Sequence, residues 1–229
     1  MITKSQISDL SKKAGHDLKS PLRKIRQFAE LMSLEYSEVL DGDGEIYLEA
    51  LTESAEEASV LVNNLLIYIR CLTQELNLIH VNLEDVIETA SIGVNTKFGQ
   101  SISLESDKLP TVKGDQSMLI LLFTHLLENG CRFVAPDVAP KVSIKPIEEG
   151  QNLVLHIIDN GIGITGEGAE RVFEPLMRLH PKSEYIGSGL GLSICKEICD
   201  AHGWEICYFN NVEGGTTFKL TLPVTPLSG

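Results

Sequence analysis

Ala14-Gly15-His16-Asp17-Leu18-Lys19-Ser20-Pro21-Leu22 lies early in a long segment with helical periodicity, and its reading decides the fold. Around it Ile7, Leu10, Ala14, Leu18, Pro21, Ile25, Phe28, Met32, Tyr36 and Val39 recur at steps of three and four, the stripe of a bundle helix. His16 falls off that stripe and is expected to face water, where an imidazole is neutral near pH 7 and keeps a ring nitrogen free to attack an electrophile. Asp17 is adjacent and able to orient or deprotonate the ring, and Ser20 lies one helical turn on. Pro21 has no N–H, so a bend beside the histidine is expected. A solvated surface histidine next to a proline would give the same local pattern, so the decision rests on the remainder of the chain.

Residues 4 to about 40 read as one helix, broken by the turn residues Asp41-Gly42-Asp43-Gly44. A second helix carries Tyr47, Leu51, Ala55, Ala58, Leu61, Leu65, Tyr68, Leu72 and Leu76 at alternating steps of four and three. Two helices joined by a short turn make an antiparallel hairpin, which cannot hide both apolar stripes by itself. A twofold homodimer closing a four-helix bundle is the economical solution, and packing on the other half of the chain is the alternative. The repeat ends near Leu78, which sets expected domains of 1–78 and 79–229.

The second half reads as α+β. Helices are expected over Leu83 to Val94, Gly114 to Cys131 and Ser188 to His202, and strands over Ser101 to Glu105, Lys141 to Ile147, Leu153 to Asp159, Trp204 to Phe209 and Thr216 to Leu222. Residues 160 to 187 form a long Gly-, Pro- and charge-rich loop, a length that usually signals function.

The 229 residues are 43% hydrophobic and 22% charged, the profile of a soluble globular protein. A net charge of −13 opposes a general nucleic-acid or anionic-membrane surface. No signal-peptide pattern opens the sequence, and its longest apolar run, Met118 to Phe123, is far too short for a membrane helix. Cysteines at 71, 131, 195, 199 and 207 are odd in number and scattered, which fits free thiols in a reducing, cytoplasmic setting. Cys195 and Cys199 share a helix face but lack further ligands at metal spacing, so buried thiols are expected.

Three patterns point to a nucleotide. Asp159-Asn160-Gly161-Ile162-Gly163 ends a buried strand, and a carboxylate beside glycines can accept a hydrogen bond from an exocyclic amine such as that of adenine. Gly187-Ser188-Gly189-Leu190-Gly191-Leu192 opens a helix whose first N–H groups suit a phosphate, and the preceding loop has the form of a lid. In the apolar helix, Asn129 and Arg132 lie three apart on one face, an amide suited to Mg²⁺ and a guanidinium suited to phosphate. A polar helix end with an asparagine cap is the alternative for that last segment.

Taken in order, His16-Asp17-x-x-Ser20-Pro21-Leu22, Leu-Leu-Glu-Asn129, Asp159-x-Gly161-x-Gly163, Arg171-Val-Phe173-Glu-Pro175, Gly187-x-Gly189-x-Gly191 and Gly214-Gly215-Thr216 resemble the H, N, G1, F, G2 and closing Gly-Thr boxes of two-component sensor histidine kinases. The resemblance runs from residue 4 to 223, and Arg178-Leu179-His180 leading into Tyr185-Ile-Gly187 is especially similar to phytochrome-type and cytoplasmic hybrid kinases. It implies a dimerising phosphotransfer hairpin followed by an α/β sandwich of Bergerat (GHKL) ATPase type. His16 would accept the phosphoryl group, with Asp17 orienting its ring and Ser20 where the family often carries Thr or Asn. Asn129 would hold Mg²⁺ and Asp159 would read the adenine of ATP. Arg132, Gly161, Gly163, Gly187, Gly189, Leu190, Gly191, Leu192 and Thr216 would shape the pocket and its lid, and Phe173 would anchor that lid. The phosphoryl group would pass to an aspartate of a response regulator receiver domain. One departure stands out: His125 occupies the position of the first N-box asparagine. A nucleotide-binding scaffold or phosphorelay intermediate with weak kinase activity is the alternative, and a stand-alone ATPase of the gyrase and Hsp90 kind is a third reading.

Overall fold

The computed structural model describes residues 3–99, 101–150, 152–179 and 187–223, and its contacts divide the chain into two compact units, Met1–Gln74 and Glu75–Gly229. The first unit is a helical hairpin. Helix α1, Lys4–Glu35, starts at a capping box in which the Thr3 side chain accepts from Gln6 N–H and the Gln6 side chain accepts from Thr3 N–H. It runs through Pro21 and ends four to five residues earlier than expected, with Tyr36 as its C-cap. Helix α2, Gly42–Thr73, absorbs part of the expected turn: Asp41 is its N-cap, accepting from Gly44 N–H at 2.9 Å, so Gly42, Asp43 and Gly44 form its first turn.

The two helices meet mainly through small residues. Gly15, Ala29, Ala55 and Cys71 are buried together with one large side chain, Leu48, whereas Ile25, Phe28, Met32, Leu51, Leu61 and Leu65 are exposed, Phe28 by 65%. Within this unit the large apolar stripe is left uncovered.

The second unit opens with β1, Ile79–Asn82, which flows into α3, Leu83–Phe98, with Asn82 as N-cap. Strands β2, Ser103–Ser106, and β3, Thr111–Gly114, precede α4, Gln116–Arg132. Asp115 caps α4, its Oδ1 accepting from Ser117 N–H at 3.0 Å and Met118 N–H at 3.2 Å. Then come β4, Lys141–Glu149; β5, Asn152–Asp159; a single 3₁₀ turn, Ala169–Arg171; α5, Gly191–His202; β6, Glu205–Asn210; and β7, Thr216–Pro223. Part of the expected lid loop, with His180 and Tyr185, lies outside the described residues. Helix α5 begins at Gly191 rather than Ser188, because Gly189 is left-handed at φ +70°.

Strand order in the main sheet is β2-β4-β5-β7-β6, with β2 parallel to β4 and the other neighbours antiparallel. A separate antiparallel pair, β1 with β3, was not expected from the sequence. Ile144, Ile157 and Phe218 stand opposite one another across three strands, all buried, as do Leu155, Leu220 and Ile206. Helix α4 packs against α3, α5 and β4, and its Leu119, Leu122, Phe123, Leu126 and Leu127 are at most 1% exposed. A layer of helices on a mostly antiparallel sheet is the α/β sandwich expected, and it fixes α4 as the central buried element.

Since α4 carries both core and candidate site residues, its packing should dominate the stability of this unit. Leu122→Ala is expected to cost about 2–5 kcal/mol, as for other fully buried leucines. Urea unfolding followed at the single tryptophan, the buried Trp204, checks this, and a loss well under 1 kcal/mol contradicts it.

Candidate functional site

His16 stands on α1 with 83% of its side chain exposed, and its Nδ1 is 3.3 Å from Asp17 Oδ1. The neighbouring residue explains the exposure. Gly15 is buried against α2, where a Cβ would come within 2.5 Å of Leu66 Cδ1, so residue 16 points about 100° away from the inter-helix contact. A cavity of about 340 Å³ opens beside the ring, lined by His16, Lys19, Ser20, Arg23 and Arg26 of α1 and by Ser59 and Asn63 of α2. Arg26 is paired with Glu30 at 3.4 Å and Glu56 at 3.6 Å, and Lys19 and Arg23 leave the hollow locally positive on a chain carrying −13.

The second group of residues lies in the Glu75–Gly229 unit. Asp159 ends β5, and its Oδ1 accepts from Gly161 N–H at 2.8 Å and from Thr216 N–H at 2.9 Å. Burial pushes this carboxyl's pKa up, against the pull of those two N–H groups. With Oδ1 saturated and oriented, Oδ2 is the oxygen left to accept from a ligand.

The surrounding backbone comes so close that only glycine fits. A Cβ on Gly161 would lie 2.5 Å from Phe133 O, and one on Gly215 would lie 2.1 Å from Asp159 O. The turn between them is pinned from outside. Lys141 N–H donates to Asn160 Oδ1 at 2.8 Å, Ile162 N–H to Phe133 O at 2.8 Å, and Ile164 N–H to Asn210 Oδ1 at 2.8 Å. Gly163, at φ +80°, sits against that same Asn210 amide.

Asn129 and Arg132 share a face of α4, and the structure brings the glycine turn onto it. Arg132 Nη1 is 3.0 Å from where a Cβ on Gly187 would be, and His125 Nδ1 is 3.6 Å from the corresponding point on Gly191. Gly189 packs on the carbonyl of Met177. The side chain of Leu190 is in the core, 1% exposed, while Leu192 is half-buried. Leu190 caps α5 without a side-chain hydrogen bond, so the first N–H groups of that helix have no such partner. Phe173 is half-buried against Tyr208 at 6.2 Å between ring centres, and Tyr208 OH donates to Ala169 O at 2.8 Å.

Two residues escaped the sequence reading. Glu128 is buried between Arg132 and Lys97, whose Nζ is 2.5 Å from Glu128 Oε1. The Glu128–Arg132 pair could have been read from its i, i+4 spacing, but Lys97 is 31 residues away. Gly130 was not singled out either, yet a Cβ there would strike Val142 Cγ2 at 2.7 Å. All five cysteines are free thiols, four of them buried, and burial pushes Cys199 up to about 12. Among the described residues no cluster of three or more His, Cys, Asp or Glu could hold a metal ion, and no helix is long and apolar enough to cross a membrane.

Residues 114–226, which hold the glycine turn at a helix start, the buried carboxylate at a strand end and the polar face on the central helix, match the model of the histidine kinase-, DNA gyrase B-, and HSP90-like ATPase family. Over most of its length the chain is a relative of the sensor histidine kinases. It is 32% identical over 212 residues to phytochrome-like protein Cph1 of Synechocystis, covering 92% of this chain and 28% of that protein. To sensor protein KdpD of Escherichia coli it is 31% identical over 215 residues, covering 91% and 23%. The crystal structure of full-length ShkA in complex with AMPPNP superposes with a TM-score of 0.67 at 23% identity, covering 97% of this chain and 46% of that one, a likeness of fold. The chain thus spans roughly a quarter of the length of these curated relatives.

His125 gives this unit a pH signature. Burial pulls its pKa from 6.5 to about 4, opposed by Glu128 and reinforced by Lys97 and Arg132. The unfolded chain therefore binds a proton that the folded chain refuses. The stabilising difference is fully present above about pH 6.5 and is lost as pH falls toward 4, worth roughly 3 kcal/mol at most. His125→Asn is expected to flatten that acid limb relative to wild type, as read by urea unfolding at Trp204. Parallel limbs in the two proteins contradict it.

Proposed function

We propose that this chain is the catalytic core of an ATP-dependent protein-histidine kinase, which phosphorylates His16 and passes the phosphoryl group to an aspartate on a response regulator receiver domain. The observation that carries the reading is the exposed His16 ring with Nδ1 turned to Asp17 at 3.3 Å. In that arrangement the Nδ1–H donates to the carboxylate and Nε2 keeps its lone pair. Attack by Nε2 forms the P–N bond as the bond from the γ-phosphorus to ADP breaks, and Asp17 can take the Nδ1 proton. Ser20 lies in the same hollow, where it can position water or a receiver aspartate. Lys19, Arg23 and Arg26 supply the positive charge that an acidic receiver pocket would meet.

Residues 1–78 would act as the dimerising phosphotransfer hairpin and 79–229 as the ATP-binding domain. Asp159 would accept from the adenine amine, with Gly161, Gly163 and Thr216 shaping that end of the pocket. Arg132, Gly187, Gly189, Leu190, Gly191 and Leu192 would hold the phosphates through side chain and backbone, with Phe173 anchoring the lid turn. Asn129 would contribute an amide oxygen to Mg²⁺, and the donor set fits. With no carboxylate cluster among the described residues, the ion would arrive on the phosphates, as Mg²⁺ commonly does. Mg²⁺ bound there supplies charge neutralisation for the transferring group. The five free thiols suit a cytoplasmic setting.

The uncovered stripe of the hairpin supports a homodimer. Phe28→Glu is expected to halve the mass seen by sedimentation equilibrium while the fold persists; an unchanged dimer, or a monomeric wild type, overturns that part. For the activity, His16→Gln should abolish acid-labile label from ATP and leave Mg-ATP affinity within about twofold. Retained label in that variant places the acceptor elsewhere. Failure of the intact protein to bind Mg-ATP in calorimetry removes the kinase reading, and binding without label favours the scaffold.

A further inference from the structure

Asp115 is a buried carboxylate, 4% exposed, at the opposite end of α4 from Asn129 and Arg132. Its two oxygens have different partners. Oδ1 caps the helix, accepting from Ser117 N–H at 3.0 Å, Met118 N–H at 3.2 Å and Ser117 Oγ at 2.7 Å. Oδ2 has one partner among the described residues, the N–H of Asn77 at 3.0 Å. Serine and asparagine cap helices about as well as aspartate, and they avoid the cost of burying a charge. What the carboxylate adds is a second acceptor oxygen, and that oxygen holds Asn77.

Asn77 lies in the stretch that joins the two units. Helix α2 ends at Thr73, Gln74 caps it by donating its N–H to Arg70 O at 2.9 Å, and residues 74–78 form neither helix nor strand before β1 begins at Ile79. The bond to Asp115 leaves only Glu75 and Leu76 between Gln74 and an anchored residue. Without it the next hold is Ile79, paired with Gly114 in the β1–β3 ladder, and Asn77 and Leu78 join the free stretch.

The anchor is itself firmly placed. Asp115 N–H donates to His202 Nε2 at 3.0 Å, which assigns the ring proton to Nδ1, and Nδ1–H donates to Ile198 O at 2.7 Å near the end of α5. The ring packs on Trp204 at 5.2 Å between ring centres. One residue thus gathers the joining segment, the start of α4 and the end of α5, the two helices whose other ends carry Arg132 and Gly191.

We propose that Asp115 is a positioning residue for phosphoryl transfer: by holding Asn77 through Oδ2 it shortens the free stretch between the units, and so raises the frequency with which bound nucleotide reaches a His16 ring. This rests on the kinase reading and adds to it a residue that touches neither nucleotide nor phosphoacceptor.

The size of the effect follows from chain length. The effective concentration of a tethered group falls roughly as the −3/2 power of the length of the tether. Release of Asn77 extends the free stretch from Glu75–Leu76 to Glu75–Leu78, a doubling that lowers the encounter about threefold. Nucleotide affinity is set within the second unit and does not depend on that length.

The test is labelling of the full chain by Mg-ATP with a labelled γ-phosphate, in Asp115→Asn and Asp115→Ser. Each variant keeps one oxygen to cap α4, and neither has a second to accept from Asn77 N–H. At saturating Mg-ATP the rate of acid-labile labelling should fall about threefold or more in both, while the half-saturating Mg-ATP concentration and the calorimetric Mg-ADP affinity stay within about twofold. A purely structural role would weaken nucleotide binding as well. A third variant leaves Asp115 and the second unit untouched: two glycines inserted between Gln74 and Glu75 lengthen the free stretch by the same amount and should slow labelling by about the same factor. Labelling at the wild-type rate or faster in the Asp115 variants or in the insertion, or a loss of nucleotide affinity accompanying the slower labelling, overturns the inference and leaves the kinase reading standing. No labelling of the wild type overturns both.

Discussion

The carboxylate of Asp159 is the point on which the architecture of the proposed nucleotide site depends. It is buried, its pKa is pushed up by that burial, and it is held by two backbone N–H groups from opposite directions, one from the turn that follows it and one from the start of β7. The grip requires backbone to pass where no side chain could. Gly215 brings its strand to within 2.1 Å, measured from a would-be Cβ, of the Asp159 carbonyl, and Gly161 brings the turn to within 2.5 Å of Phe133 O at the end of α4. The carboxylate thereby ties the last residue of β5 to the turn after it and to the beginning of β7, and Ile162 N–H, donating to Phe133 O, ties that turn to the end of α4. One oxygen is fixed by two N–H groups, which offsets part of the cost of burying the carboxylate.

Charge is distributed with the same economy. The chain carries −13, yet the hollow beside His16 is lined by Lys19, Arg23 and Arg26, and the polar face of α4 ends in Arg132. Glu128, the one carboxylate on that part of α4, is neutralised by Lys97 and Arg132. The two places proposed to handle phosphoryl groups are therefore locally positive on an acidic background, an arrangement that favours particular anions over general polyanion binding.

How much of this was legible before the coordinates depends on the range of the cause. The hairpin follows from local periodicity, α4 from an apolar segment that includes Met118 to Phe123, and β4 and β5 from two apolar segments close together in the chain. The short pair β1 and β3 was missed because its partners are only four residues long and lie some thirty residues apart, too short for alternation to count, so pairing rather than pattern defines them. The Asp41-Gly42-Asp43-Gly44 stretch read as a turn, since Gly disfavours helix. Capping by Asp41 and burial of Leu48 one turn further on pull it into α2. In the site, residue types announced themselves but their reasons did not. That Gly161 and Gly215 are required by Phe133 O and Asp159 O, and that Lys97 reaches Glu128, are facts of tertiary proximity that spacing cannot encode.

The hairpin shows the same division between local and distant causes at its most consequential residue. Its buried residues are Gly15, Ala29, Leu48, Ala55 and Cys71, with Leu66 filling the space that Gly15 leaves. Leu48 apart, these are small, and most of the large apolar residues lie on a second seam, which this unit leaves open. His16 belongs to neither seam. Because residue 15 faces α2 and packs under Leu66, residue 16 is rotated out beside Lys19 and Arg23, and the ring's exposure is a consequence of packing beside it rather than of its own polarity. A Cβ at position 15 would lie 2.5 Å from Leu66 Cδ1, so the Leu66 side chain would have to turn aside at the very turn that carries the histidine. The packing of Leu66 and the outward direction of the imidazole thus meet at one residue step of α1.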